Sequence, residues 1–266
     1  MKSPKHPLIL KGAGLWTPGY PGLLAFLADG PPDASVSVPR AALLPSTLRR
    51  RSSLLTRAGI EALSEAANAG GADPTTTATL WASAYGEIDN TLALLDMMRG
   101  DGMPSPTRFH NSVHNTASGT ASIALGNTAF TSAIAAGSQT VQMGFAEAHA
   151  WLVTQGQGQQ SAGSGSSDLL FVCLDEPPPA PFAPEPAWPL LAVAFHLSTA
   201  ASSSSSSSSP SHSDQAQDRP VSPIGERLCL PRALDVSLAD LDAPLPEAFA
   251  RHPLLPALRL LAHLKT

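Results

Sequence analysis

The chain has 266 residues, of which 43% are hydrophobic and 14% charged, with a net charge of −5 and a pI near 5.9. This length can bury a sizeable core, and the acidic balance excludes the basic footprint of a nucleic-acid-binding protein. Two cysteines, Cys173 and Cys229, exclude a disulfide framework, and no Cys-x-x-Cys spacing indicates a metal site.

The N-terminal segment predicts neither a targeting signal nor a membrane span. Residues 1–7 carry the positive charge of a signal sequence, but Lys11 and glycines interrupt the apolar stretch behind them. No apolar window reaches the length needed to cross a bilayer. We therefore expect a cytoplasmic protein. The basic run from Arg49 to Arg51 is expected to be a solvated cluster at a helix start rather than a binding patch.

The first part of the chain predicts alternating strands and helices. Residues 8–16 form an apolar run that ends at Thr-Pro-Gly, as a strand would. A helical period of apolar residues covers 45–69 and stops at Gly-Gly. A second strand is predicted at 79–83, and a helix with one apolar stripe at 87–99.

The central part continues the alternation. The stretch 111–125 is rich in Ala, Ser and Thr and predicts a buried helix, followed by a short strand at 131–136. A helix is predicted at 139–153, and strands at 169–174 and 190–195. Strands that alternate with helices indicate an α/β sheet with helices on both faces.

Composition divides the chain into three segments. Residues 1–199 carry the predicted α/β domain. Residues 200–220 contain an unbroken run of serines and lack apolar surface to offset their ordering entropy, so we expect a disordered insertion. Residues 221–266 form a C-terminal extension with an amphipathic helix at 254–264 that should dock on a surface.

One motif around the alanine-rich helix resembles a known family. It comprises Gly86, Leu94-Leu95, Ser105-Pro106-Thr107, Phe109 and Ser112-Val113-His114-Asn115. The motif is similar to the half-length ketosynthase-like proteins of aryl polyene and xanthomonadin-type pigment clusters, and the similarity spans roughly residues 8–199. It implies half of a thiolase-like fold, an α/β architecture with a five-stranded mixed sheet and helices on both faces.

The resemblance assigns a particular meaning to Gln139. In β-ketoacyl synthases a short strand ends in a nucleophilic cysteine at the N-terminus of a long helix, where the helix dipole favours a thiolate. Counting back from Gly156, which matches the glycine after that helix, puts the cysteine position at Gln139. An amide is not a nucleophile, so the resemblance implies a subunit that does not itself condense.

The implied function is that of a chain-length factor in the synthesis of a polyene or fatty-acid-like polyketide. Its partner would be a full-length β-ketoacyl synthase in a heterodimer, with the acyl chain carried on the phosphopantetheine of an acyl carrier protein and no cofactor of its own. Val113, Thr116 and Thr120 match the tunnel-facing segment of the family, and their spacing predicts one helix face.

Two other functions stay open. Loading ketosynthases also have glutamine at the cysteine position, so the chain could be a malonyl-carrier-protein decarboxylase that primes chains. That reading lacks the two decarboxylating histidines, because His212, His252 and His263 are expected to be exposed polar residues. The other alternative is a structural scaffold for the ketosynthase.

Two further histidines could be read as a chemical site. His110 and His114 flank Ser112 and could form a hydrolase dyad or a metal pair, but no nearby carboxylate completes a zinc site and no nucleophile-elbow motif surrounds the serine. We favour polar packing at a dimer interface.

Overall fold

The computed structural model describes residues 7–28, 30–100, 102–103, 105–159, 168–199, 232–234, 243 and 245–263. Its strands are β1 (Leu8–Trp16), β2 (Ala78–Ala82), β3 (Thr131–Ile134), β4 (Asp168–Asp175), β5 (Leu191–Thr199) and β6 (Arg232–Leu234). Its α-helices are α1 (Leu23–Leu27), α2 (Ser46–Arg51), α3 (Leu54–Gly70), α4 (Ile88–Arg99), α5 (Pro106–His110), α6 (Thr116–Leu125), α7 (Thr140–Gln159) and α8 (Leu255–His263).

The described strands form a single mixed sheet in the order β3-β2-β4-β5-β1-β6. Strands β3, β2 and β4 are parallel, whereas β5 runs antiparallel to both of its neighbours, β4 and β1. The five strands predicted from the sequence are confirmed. The three-residue strand β6 adds a sixth at the edge beside β1, and it was missed because so short a segment carries no periodic signal.

Helices cover both faces of the sheet, as predicted. On one face, α3 and α6 pack against side chains such as Trp81 and Val172. On the other face, α1, α7 and α8 pack against the alternate residues of the same strands, including Leu80 and Phe171. The neighbouring residues of one strand thus enter two different cores, because strand side chains alternate between faces.

Two predicted helices are interrupted. The predicted helix at 45–69 is divided between α2 and α3, because Ser52 has extended backbone and Ser53 caps α3 by accepting a hydrogen bond from the Thr56 N–H. The predicted helix at 111–125 begins only at Thr116 and is preceded by the separate short helix α5. Polar residues with cap chemistry end one helix and start the next.

Helix α8 belongs to the main hydrophobic core. Leu254, Leu258 and Leu261 are fully buried in the cluster that contains the central strands. The predicted terminal helix therefore docks on its own chain, and the division after residue 199 does not separate two cores. The serine-rich insertion 200–220 lies outside the described residues.

Candidate functional site

The parallel strands β2, β3 and β4 end at one edge of the sheet, where their following loops meet. In α/β sheets this carboxyl edge is the usual place for a ligand or active site. Ser83 follows β2, Gln139 follows β3 and Asp175 ends β4. Ser83 is tied directly to the β3 end, because its N–H donates to the Ile134 carbonyl over 3.1 Å. This edge is therefore the candidate functional site.

Gln139 lies at the junction between β3 and α7. It ends a single 3₁₀ turn, and its N–H donates to the Ala136 carbonyl over 3.0 Å. Thr140 closes the junction by donating to the Gly137 carbonyl at 2.7 Å and accepting from the Ala136 N–H at 3.0 Å. The side chain of Gln139 is exposed at the N-terminus of α7. Its equivalence to the family's cysteine stays a prediction.

A buried carboxylate holds the loop between β2 and α4. Asp175 accepts hydrogen bonds from the Ser83 hydroxyl at 2.7 Å and from the N–H groups of Ala84 and Tyr85 at 3.0 Å each. The Ser83 oxygen in turn accepts from the Gly86 N–H at 2.7 Å. Burial raises the pKa of Asp175 to about 6, although these hydrogen bonds oppose the shift.

Two more buried carboxyls lie beside this loop. Glu87 accepts from the hydroxyls of Ser53 at 2.6 Å and Thr56 at 2.7 Å, and burial raises its pKa. Glu176 accepts from the Asp89 N–H at 3.2 Å. Burial raises the pKa of Glu176 to about 8, with the negative charge of Glu87 acting in the same direction. Sequence reasoning missed these residues, although an acidic pair directly after a buried apolar strand was a usable signal.

The two histidines near the site, His110 and His114, lie in different environments. His114 lies 3.0 Å from the Ser83 carbonyl oxygen through Nε2, so that nitrogen carries the proton in this contact. His110 is exposed at the end of α5. Within the described part of the chain, no group of three His, Cys, Asp or Glu side chains could hold a metal ion.

The three tunnel candidates do not share one helix face, contrary to the spacing argument. Val113 precedes α6 and is 39% exposed, whereas Thr116 and Thr120 are buried within the chain. The Thr116 hydroxyl reaches the carbonyl oxygens of His110 and Val113, at 3.0 and 2.7 Å. The spacing failed because the helix begins at Thr116, five residues later than predicted and three residues after Val113. A tunnel role for these residues stays a prediction.

The expectation that His252 is exposed is wrong. Its ring is buried, with Nε2 3.1 Å from the Pro189 carbonyl oxygen and the ring centre 4.4 Å from that of Trp188. Burial lowers the pKa of His252 to about 3, so it is neutral. The packing of α8 against the sheet creates this environment. His263 is exposed as expected, and His212 lies outside the described residues.

Cys173 is fully buried in β4, and burial raises the pKa of its thiol. Its position is that of a core thiol rather than an activated nucleophile. Cys229 lies outside the described residues. Sequence reasoning passed over His196, which is buried in β5 with Nε2 3.5 Å from Asp168.

Comparison with known proteins agrees with this geometry. The family described as "Beta-ketoacyl synthase, N-terminal domain" matches residues 28–243. The chain belongs to this family. No curated protein matches the sequence. Among solved structures, the ketosynthase ApeO in complex with its chain length factor ApeC, from Xenorhabdus doucetiae, is similar with a TM-score of 0.56 and 22% identity. That match covers 73% of this chain and 80% of the other.

Two further structures have the same fold. The ishigamide ketosynthase/chain length factor gives a TM-score of 0.52 at 16% identity, over 72% of this chain and 62% of the other. The complex of a type II PKS acyl-carrier protein with its hexaketide-bound ketosynthase, AntDE:AntF, gives 0.50 at 15% identity, over 74% and 64%. This chain thus spans less than two thirds of the matched chain in these two cases. The similarities confirm half of a thiolase-like fold.

No helix among the described residues is long and apolar enough to cross a membrane.

Proposed function

We propose that this chain is a non-catalytic ketosynthase-like subunit, a chain-length factor that pairs with a full β-ketoacyl synthase and shapes its acyl tunnel. The observation that carries the proposal is Gln139 at the N-terminus of α7. The family resemblance implies a nucleophilic cysteine at this point, and an amide cannot form a thioester. Cys173 does not replace it, because that thiol is buried in β4 and its pKa is raised.

The edge of the sheet at β3 supports pairing with a second subunit. Among the described strands, β3 pairs with β2 alone, so its other edge faces outward. Exposed apolar side chains flank this edge, with Ile123 67%, Phe130 41% and Met143 42% exposed. An open strand edge combined with exposed apolar surface favours association. The family resemblance puts its dimer seam at this strand.

The growing chain would enter from the partner's active site on the phosphopantetheine of an acyl carrier protein. Val113 is the tunnel candidate whose side chain a partner can reach, because it is exposed in front of α6. Thr116 and Thr120 would act by holding that helix in place. The product class that the resemblance implies is a polyene or fatty-acid-like polyketide.

The test uses the heterodimer reconstituted with a ketosynthase encoded beside this chain. Gln139→Ala should leave the condensation rate within a fewfold of normal, and Val113→Phe should shorten the product while sparing the first elongation steps. Product length is read by mass spectrometry and by a blue shift in absorbance. A rate loss on the order of 10³-fold in Gln139→Ala would contradict the proposal and favour a decarboxylase.

Two controls separate the alternatives. Incubation of the chain with malonyl-carrier protein, without the ketosynthase, tests for decarboxylation directly. If the heterodimer assembles and Val113→Phe leaves product length unchanged, Val113 does not line the tunnel. If exchange of the whole subunit for a relative also leaves product length unchanged, the chain is a scaffold.

A further inference from the structure

A cluster of arginines lies on one surface of the molecule. Arg49, Arg50 and Arg51 end α2, and the guanidinium of Arg49 donates to the Arg40 carbonyl over 3.1 Å. The Asn111 side chain donates to the Arg51 carbonyl over 2.7 Å. That contact brings the end of α5, with Arg108, against the end of α2. We call these residues the arginine face: Arg40, Arg49, Arg50, Arg51 and Arg108.

The arginine face concentrates positive charge in a chain whose net charge is negative. Five of the twelve arginines in the sequence lie on it. The carboxylate of Glu61 lies close to the segment that carries Arg40, because it accepts a hydrogen bond from the Ala41 N–H at 2.6 Å. Among the described residues, the recorded ion pairs involve Lys11, His196 and Asp168, and none involves these guanidinium groups.

Large exposed apolar side chains lie next to these arginines along the chain. Phe109 follows Arg108 and is 61% exposed, Val38 precedes Arg40 and is 53% exposed, and Leu54 begins the helix after Arg51 and is 43% exposed. Basic and apolar side chains in alternation are typical of surfaces that rest on a bilayer, where the rings enter the headgroup boundary and the arginines contact lipid phosphates.

We propose that the arginine face binds an anionic lipid surface, although the sequence alone favours a solvated cluster for the run from Arg49 to Arg51. An anionic lipid surface complements the charge of the arginines, since each arginine near an anionic leaflet adds attraction. The protruding Phe109, Val38 and Leu54 add apolar contact that a purely electrostatic partner would not need. The arginine face does not include the β3 edge or Gln139, but its α5 residues lie directly before Val113. Vesicle binding is therefore measured on the chain without a ketosynthase partner.

Vesicle co-sedimentation of the purified full chain tests the proposal. The wild type should pellet with vesicles of phosphatidylcholine mixed with phosphatidylglycerol, and not with phosphatidylcholine alone. Added salt should weaken binding. Arg50→Gln combined with Arg51→Gln should weaken it roughly 10- to 30-fold, given the contribution of each arginine. Phe109→Ser should weaken it as well, and Arg251→Gln, an exposed arginine elsewhere, should not.

Circular dichroism and urea unfolding establish that each variant is folded before binding is compared. Equal binding to both kinds of vesicle would overturn the proposal. So would arginine-face or Phe109 variants that bind as tightly as the wild type. Absence of vesicle binding by the wild type would also overturn it and leave an acidic protein as the partner for this surface.

Discussion

We expect the protein to lose stability as the pH rises through neutrality, because burial raises the pKa values of several carboxyl groups. Glu176 has an ordinary pKa of 4.5 that burial raises to about 8, and Glu65, whose oxygens accept N–H groups of Leu15 and Leu23, is raised to about 7. A raised carboxyl pKa means that the folded state binds protons that the unfolded state has released. The free energy of unfolding therefore falls between the ordinary and the raised pKa.

The magnitude follows from the two pKa values. Between pH 6.5 and pH 8, Glu176 should remove roughly 1–2 kcal/mol of stability and Glu65 roughly half as much. His252, with a pKa lowered to about 3, acts in the opposite direction, but most of its effect lies below pH 6.5. It offsets only a few tenths of a kcal/mol in this window. The net loss is therefore on the order of 2 kcal/mol.

Urea unfolding at constant ionic strength measures this difference. Glu176→Gln keeps an oxygen for the Asp89 N–H but cannot ionise, so it should lose roughly 1–2 kcal/mol less stability than the wild type between the two pH values. The matched control is Glu147→Gln, which replaces an exposed carboxyl on α7 and should behave like the wild type. A wild type that is equally stable at both pH values, or a Glu176→Gln variant with the full wild-type loss, would refute the reasoning.

Two further predictions concern packing. Leu258→Ala on α8 should cost about 2–5 kcal/mol in urea unfolding because the side chain is fully buried, while His263→Ala on the same helix should cost less than about 0.5 kcal/mol. A Leu258→Ala variant with the stability of the wild type would mean that α8 is not part of the core. Gly144→Ala should lower the free energy of unfolding by about 1–3 kcal/mol, because a Cβ there would lie 2.3 Å from a ring atom of Phe171. Gly119→Ala should leave it unchanged or raise it by up to about 1 kcal/mol, because a Cβ there would meet no atom within 4 Å. The reverse order in thermal unfolding would contradict the packing of α7.

The strands and the order of the elements could be predicted from the sequence, because apolar periodicity is a local property. Strand β4, for example, is a continuous apolar run of the kind that is buried on both faces. The helix starts were less predictable. Val113 was assigned to α6 by its spacing, yet the helix begins at Thr116 after a turn in which the Thr116 N–H donates to the Val113 carbonyl.

The candidate site was predicted only in part, for a physical reason. Gln139 could be found because its position follows from a motif and a count along the chain. The environments of Asp175, Glu176 and His252 arise from segments far apart in sequence, and desolvation by such contacts leaves no local pattern. His252 shows this most clearly, because only the docking of α8 buries it beside Trp188.

The exposed apolar side chains are not spread evenly over this half of a thiolase-like fold. Helix α8 covers part of one face of the sheet, and α3 and α6 cover the other. Both faces of the sheet are therefore covered, although the chain has only half of the thiolase-like fold. The exposed apolar side chains Ile123, Phe130 and Met143 flank the β3 edge instead. Because the sheet faces are covered by this chain itself, association through that edge would need no rearrangement of the core, as the proposed pairing with a ketosynthase requires.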